Sequence, residues 1–189
     1  MGHNDRDRWN SRYRDGFVHL HKPDPGVLDL LRALKPSGLA VDIACGPGRH
    51  TLWLANHGWE VDALDIADVA IDGLQRLIER DEIRGIYPYR IDLDKWYPNS
   101  EKYILALMAY FWDEHVFVRA QQALQPGGQL IIRTFVDSGN LLGPHNHYVD
   151  PNSPHIAQIQ KDWMVWHWDI DQKSGLFTLG ARKPSTSRA

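Results

Sequence analysis

The residues best suited to chemistry lie in one glycine-containing turn and at an acidic position about twenty residues beyond it. Gly46 and Gly48 follow an apolar strand pattern at residues 39–44, and Asp65 lies near the end of the next pattern, 59–66. Such glycines let the backbone approach a ligand closely, and the carboxylate can accept hydrogen bonds from both hydroxyls of a ribose. The spacing predicts nucleoside binding and so far fits NAD and S-adenosylmethionine equally well.

Three details then favour S-adenosylmethionine over NAD. The third glycine of the NAD fingerprint is replaced by Thr51, so a pyrophosphate fits less well. Asp42 lies inside the first strand, where its charge would oppose a diphosphate but would tolerate a cationic amino-acid group. Asp92 and Leu93 follow the third strand and suit the amino group and the face of an adenine. The sequence therefore predicts a sulfonium cofactor.

Apolar periodicity alternates between helix and strand spacing along most of the chain, which predicts a single α/β domain. We expect a Rossmann-like, doubly wound, seven-stranded sheet that is mostly parallel and ends in an antiparallel C-terminal hairpin. The domain is predicted over residues 1–183, with N-terminal cap helices within 1–35 and a disordered tail at 184–189. The predicted strands are 39–44, 59–66, 85–92, 103–111, 129–136, 163–170 and 176–182. The predicted helices are 5–14, 25–34, 49–57, 67–82, 113–124 and 155–161, and residues 137–154 are predicted to form a lid-like loop.

Composition narrows the function classes. The net charge of −3 lacks the basic character of a protein that tracks phosphates, so we expect no nucleic-acid partner. The single cysteine, Cys45, fits a reducing compartment, and no apolar run is long enough for a membrane span, so a cytoplasmic location without a membrane partner is expected. His145 and His147 in the lid lack a third ligand nearby, so no metal site is predicted.

Several stretches resemble the class I S-adenosylmethionine-dependent methyltransferases, and more narrowly their small tellurite-resistance-type members. They are VDIACGPGRHTLWLANHGWEVDALDI, YRIDLDKW, LQPGGQLIIRTF, GNLLGPHN, DWMVWHWD and FTLGARKP. The resemblance implies S-adenosylmethionine as cofactor. It implies that the cofactor is surrounded by Asp42, Ala44, Cys45, Gly46 and Gly48 at the methionine part, Asp65 and Ile66 at the ribose, Asp92 and Leu93 at the adenine, and Met108, Ala109 and Tyr110 at the sulfonium. It further implies that Trp9, with Arg12 or Arg14, covers the cofactor.

The implied reaction is direct displacement, in which a small-molecule acceptor such as tellurite, selenite or another soft nucleophile attacks the sulfonium methyl. Alignment and exclusion of water supply most of such a rate. If the acceptor must lose a proton, the candidate bases are His115, His145 and His147; Tyr110 is a further catalytic candidate. Asp113 reads equally well as a helix N-cap and as a substrate-facing residue. A non-catalytic cofactor-binding sensor and, last, an NAD-dependent oxidoreductase are the alternative functions.

Overall fold

The computed structural model describes residues 3–15, 22–136 and 148–185. The described helices are α1 (His3–Arg14), α2 (Pro25–Arg32), α3 (Arg49–Asn56), α4 (Asp68–Arg80), α5 (Glu114–Ala123) and α6 (Pro154–Asp162). The described strands are β1 (Leu39–Ile43), β2 (Glu60–Asp65), β3 (Ile86–Arg90), β4 (Tyr103–Ala109), β5 (Leu124–Val136), β6 (Tyr148–Val149), β7 (Met164–Asp171) and β8 (Leu176–Arg182). A 3-10 turn spans Leu93–Lys95.

The strands form one sheet in the order β3-β2-β1-β4-β5-β8-β7. Strands β1 to β5 pair in parallel, whereas β8 runs antiparallel to β5 and β7 antiparallel to β8. This arrangement confirms the predicted Rossmann-like sheet with its C-terminal hairpin. One strand was not predicted: β6 has two residues and pairs with Phe135 and Val136 at the end of β5.

The start of β5 differs from the prediction. Residues 126–128, Pro-Gly-Gly, were expected to separate a helix from a strand at 129, but the extended chain begins at Leu124, directly after α5. Gly127 has a φ of 78°, and the pairing of β4 with β5 shifts register between Tyr103 and Leu105. The glycines therefore form an irregular, bulged start of the strand instead of a separate turn, because glycine tolerates the left-handed conformation that such a bulge requires.

Apolar clusters cover both faces of the sheet. On one face, Phe117 and Ala120 of α5 pack with Met108 of β4, and on the other, Leu31 of α2 packs with Leu105. All of these side chains are at most 1% exposed. The nearly continuous apolar sequence of β4, YILALMA, reflects this burial from two sides.

The parallel arrangement brings the carboxyl ends of β1, β2 and β4 to one edge, where open α/β sheets bind ligands. The chain leaves β1 through Ala44, which has a φ of 57°, and reaches α3 through Gly48, the N-cap, at a φ of 85°. A Cβ added to Gly48 would lie 2.7 Å from Cδ1 of Leu74 in α4. Gly48 thus allows both the turn conformation and the close packing of α4 against it.

Replacing Gly48 by alanine is expected to lower the free energy of unfolding by roughly 2–4 kcal/mol, from the left-handed conformation and the overlap with Leu74. The matched control is Gly73→Ala in α4, where the nearest neighbour of the added Cβ is Arg76 at 3.9 Å. That change should stabilise the protein by about 0.5–1 kcal/mol because glycine is unfavourable within a helix. Urea unfolding of the ligand-free variants measures both, and equal effects of the two substitutions would contradict the assignment.

Candidate active site

A cavity of about 340 Å³ lies at the carboxyl ends of β1, β2 and β4. Its size falls within the range of small-molecule and cofactor pockets. The described residues that line it are Trp9, Tyr13, Asp42, Ala44, Cys45, Gly46, Arg49, His50, Asp65, Ile66, Leu93, Ala109, Tyr110, Phe111 and Phe135. The structure therefore brings the predicted turn, the predicted acidic residue and the end of β4 to one cavity.

Asp65 joins the ends of β1 and β2. One carboxylate oxygen accepts a hydrogen bond from the amide of Gly46 at 2.8 Å, and the other accepts from the amide of Ala67 at 2.8 Å. Burial raises the pKa of Asp65, against the opposing effect of these amides. Each carboxylate oxygen has a second lone pair, so Asp65 can still accept hydrogen bonds from a ligand in the cavity.

Asp42 and Thr51 form a buried pair beneath the turn. The Thr51 hydroxyl donates to Asp42 at 2.6 Å, and Asp42 is 1% exposed. Burial raises the pKa of Asp42 to about 7, although the Thr51 hydroxyl and the charge of Arg49 oppose this shift. Thr51, the residue that replaces the third glycine of the NAD fingerprint, thus acts as the hydrogen-bond donor to Asp42.

Tyr110 follows β4 in a left-handed conformation with a φ of 60°, which is uncommon for a residue with a side chain. Its hydroxyl donates to Asp24 at 2.5 Å, and its backbone amide donates to the carbonyl of Arg133 at 2.6 Å. The ring packs edge-on against Phe135, with 5.5 Å between the two ring centres, and the Arg49 guanidinium lies 4.8 Å from the centre of the Tyr110 ring. These contacts fix one orientation of the ring in the cavity wall.

Helix α1 forms the outer wall of the cavity through Trp9 and Tyr13. It is attached to α4 by Asp68, which accepts hydrogen bonds from Arg6 at 2.7 and 2.8 Å and from Asn10 at 2.9 Å. The pKa of Asp68 is lowered, and the hydrogen bonds from Arg6 are the main cause. The aromatic residues of α1 therefore face the cavity because the polar face of the helix pairs with α4.

Some predicted site residues do not line this cavity: Gly48, Asp92, Met108, Arg14 and His115. Asp92 caps the 3-10 turn by accepting from the amide of Asp94 at 3.1 Å. Met108 is fully buried in the core. His115, a candidate base by sequence, lies away from this cavity because Asp113 caps α5 through the amide of Val116 and so places His115 in the first helical turn.

His115 instead lines a separate surface cavity with His155, which lies 3.4 Å from Glu114. The interpretation of Asp113 as an N-cap is confirmed, because its carboxylate accepts a hydrogen bond from the amide of Val116. The lid histidines, His145 and His147, lie outside the described residues.

The sequence reasoning missed part of the wall: Tyr13, Asp24, Arg49, His50, Phe111 and Phe135 all line the cavity or contact a residue that does. A local signal existed for Arg49 and His50, which directly follow the glycine turn. Another existed for Tyr13, which lies one helical turn after Trp9. For Asp24 no local signal existed, because its partner Tyr110 is 86 positions away.

The sheet order and the cavity at its carboxyl edge are those of the class I, S-adenosylmethionine-dependent methyltransferases. Two of the solved structures with this fold illustrate the similarity. TehB from Haemophilus influenzae is 18% identical with a TM-score of 0.69, over 85% of this chain and 62% of that one. The 1,6-didemethyltoxoflavin-N1-methyltransferase of Burkholderia thailandensis, solved with S-adenosylhomocysteine, is 17% identical with a TM-score of 0.71, over 95% and 87%.

The chain belongs to the family described as tellurite resistance protein TehB, which matches residues 4–171. The predicted family is thereby confirmed, and the cofactor of this class is S-adenosylmethionine, as predicted. A curated relative, the ribosomal RNA small subunit methyltransferase C of Alcanivorax borkumensis, is 34% identical over 68 residues, or 33% of this chain. The chain spans only 21% of the length of that relative. Among the described residues, no helix is long and apolar enough to cross a membrane.

The raised pKa of Asp42 makes stability depend on pH. Between the unfolded pKa near 4 and the folded pKa of about 7, the native state holds a proton that the unfolded state releases, so stability falls as pH rises through this window. Asp42→Asn removes this dependence. We expect the variant to gain roughly 2 kcal/mol relative to the parent protein between pH 5 and pH 8. Urea unfolding at both pH values measures the gain.

Asp72→Asn, an exposed position on α4, is the control for this comparison. Asp65 and His50 are present in all three proteins, and because the charge of Asp65 helps to raise the pKa of Asp42, the difference reports Asp42 together with its coupling to Asp65. Parallel pH profiles for Asp42→Asn and the parent protein would show that Asp42 is ionised in the folded state across the whole range.

Proposed function

We propose that the protein is an S-adenosylmethionine-dependent methyltransferase that methylates a small molecule, with a tellurite- or selenite-like oxyanion or another soft nucleophile as the acceptor class. The observation that carries the proposal is the cavity itself. It combines a carboxylate, a glycine turn and apolar surface on one side with aromatic rings on the other. Membership of the TehB family supports the oxyanion acceptor.

The side chains of the cavity suit the parts of this cofactor. Asp65 offers carboxylate oxygens to the ribose hydroxyls, and Ile66 and Leu93 offer apolar contacts to the ribose and the adenine. Asp42, Ala44, Cys45 and Gly46 surround the methionine part. Trp9 of α1 covers the cofactor from outside. When bound, S-adenosylmethionine supplies a methyl group on a positively charged sulfur.

The wall formed by Ala109, Tyr110 and Phe135 is assigned to the acceptor side. Its rings exclude water from the acceptor and hold it in one orientation, which are the main requirements of a direct displacement. Tyr110 contributes only its ring to this wall, because its hydroxyl donates a hydrogen bond to Asp24. The reaction then needs no nucleophile from the protein.

Loss of the Asp65 carboxylate is expected to weaken cofactor binding. Asp65→Ala should raise the Kd for S-adenosylhomocysteine by roughly 10- to 150-fold, because about 1.5–3 kcal/mol of charge-assisted hydrogen bonding is lost. Isothermal titration calorimetry measures this change. The variant is also expected to be less stable, since the same carboxylate holds the amides of Gly46 and Ala67.

The matched control is Asp62→Ala in the same strand. Asp62 is 3% exposed and accepts from Lys102 and Tyr103, outside the cavity. This variant should lose stability while keeping its Kd for S-adenosylhomocysteine within about twofold. An unchanged Kd in Asp65→Ala would place the ribose elsewhere, and stabilisation of the parent protein by NAD but by neither adenosyl ligand would overturn the cofactor assignment.

Methyl transfer itself is tested by acceptor-dependent release of S-adenosylhomocysteine from S-adenosylmethionine. The panel contains tellurite, selenite, thiols and amines, and we expect release with the oxyanions or the thiols. Release with none of them, by a protein that binds the cofactor, would favour the non-catalytic sensor. The control protein is the Asp65→Ala variant at the same cofactor concentration, which should release the product more slowly.

A further inference from the structure

Arg49 places a positive charge in the cavity wall that no carboxylate directly neutralises. Its guanidinium lies over the ring of Tyr110, and it takes part in none of the ion pairs found within residues 3–15, 22–136 and 148–185. Asp42 and Asp24 are near enough for Arg49 to lower their pKa values. Both carboxylates, however, have closer partners of their own.

Asp24 is occupied by three groups. Its side chain caps α2 by accepting from the amide of Val27 at 3.0 Å, accepts from the Tyr110 hydroxyl, and lies 2.8 Å from Nε of Arg133. Burial favours a raised pKa for Asp24, but these partners outweigh it and lower the pKa. Asp24 and Arg133 thus offset each other, and the Arg49 guanidinium is left without an ion-pair partner among the described residues.

Arg133 is itself held in place. It donates to the hydroxyl of Thr178 at 2.5 Å, and a Cβ added to Gly26 would lie 2.6 Å from its Cζ. The side chains of Arg133 and Asp24 are 16% and 11% exposed. The pair is therefore mostly buried beside Tyr110, and Arg133, which does not line the cavity, is not available to replace Arg49 there.

Two of the described groups around Arg49, His50 and Tyr110, are poor proton acceptors. Burial, followed by the charge of Arg49, lowers the pKa of His50 to about 3, and Nε2 of His50 already accepts from the amide of Asp24 at 3.1 Å. Burial and the hydrogen bond to Asp24 raise the pKa of Tyr110, so its hydroxyl remains protonated and directed at Asp24. An acceptor that is already anionic needs no such base.

We propose that Arg49 is the specificity-determining residue of this cavity and that it selects a methyl acceptor carrying a negative charge over its neutral counterpart. This inference rests on the proposed methyl transfer. Other side chains position Arg49. The Tyr110 ring supports its guanidinium, and Arg133 pairs with Asp24, so that Asp24 does not neutralise Arg49.

The reaction that follows balances without proton transfer. A lone pair of the anionic acceptor atom forms a bond to the methyl carbon while the carbon–sulfur bond breaks, and the electron pair of that bond stays on sulfur. The negative charge of the acceptor and the positive charge of the sulfonium disappear together. Arg49 favours the anionic form of the acceptor before the reaction, when the negative charge of the acceptor is greatest.

The test is calorimetric binding to the protein saturated with S-adenosylhomocysteine. The probes are sodium selenite, sodium benzoate and, as the neutral counterpart of benzoate, benzamide. At least one anion should bind more tightly than benzamide. Arg49→Gln should weaken its binding at least tenfold, while Arg49→Lys, which keeps the charge, should restore it to within about threefold. Arg32→Gln, at an exposed arginine of α2, is the control and should change nothing.

Asp24→Asn tests the same electrostatic cause, but it is expected to strengthen anion binding where Arg49→Gln weakens it. Asparagine also serves as an N-cap, so α2 keeps its cap while the charge opposing Arg133 is lost. The variant should bind the anion roughly threefold more tightly, an effect that structural damage would not produce.

Two results would overturn the proposal. One is the absence of any preference for the anions, or an Arg49→Gln variant that binds them as the parent protein does. The other is that Arg49→Gln weakens S-adenosylhomocysteine tenfold or more but leaves 5′-methylthioadenosine unchanged, because Arg49 would then hold the carboxylate of the cofactor. Failure of the parent protein to bind S-adenosylhomocysteine would instead refute the proposed function.

Discussion

The carboxylate of Asp65 holds together the two chain segments on which the rest of the cavity is built. By accepting from Gly46 and Ala67, it connects the turn after β1 to the turn after β2. The turn that leads into α3 and the turn that leads into α4 are thereby held beside each other. Because the carboxylate is buried, its amide partners are needed to offset the free energy of removing it from water.

The parts that the sequence predicted are those determined by neighbours along the chain. The βαβ unit from β1 to β2 is apparent from two apolar runs and the glycines between them, and Gly46 and Asp65 have a spacing that the parallel pairing of two short strands imposes. Trp9 could be placed at the cavity through resemblance. Helix and strand ends shifted by a few residues because capping and bulges, as at Gly127, depend on local backbone geometry.

The acceptor wall could not be predicted in this way. Asp24, Tyr110 and Arg133 lie far apart in sequence, and their contacts arise only after α2, β4 and β5 have packed together. An aspartate before a helix is expected to be an N-cap, and Asp24 is one; its second role depends on a tyrosine in another element. The case of His115 shows the reverse, since a histidine close to the end of β4 in sequence is turned away by the start of α5.

The cavity walls therefore come from separate stretches of chain: the turn and Asp65 belong to the first βαβ unit, whereas Tyr110 and Phe135 follow β4 and end β5. The hydrogen bonds of Asp65 remain within its own unit, whereas the second wall meets that unit where the Arg49 guanidinium lies over the Tyr110 ring and where the Asp24 amide donates to His50. Substitutions at Phe135 therefore reshape the second wall without touching Asp65, but a change that moves the Tyr110 ring also acts on Arg49. A new acceptor thus requires matched changes on both sides of this one contact.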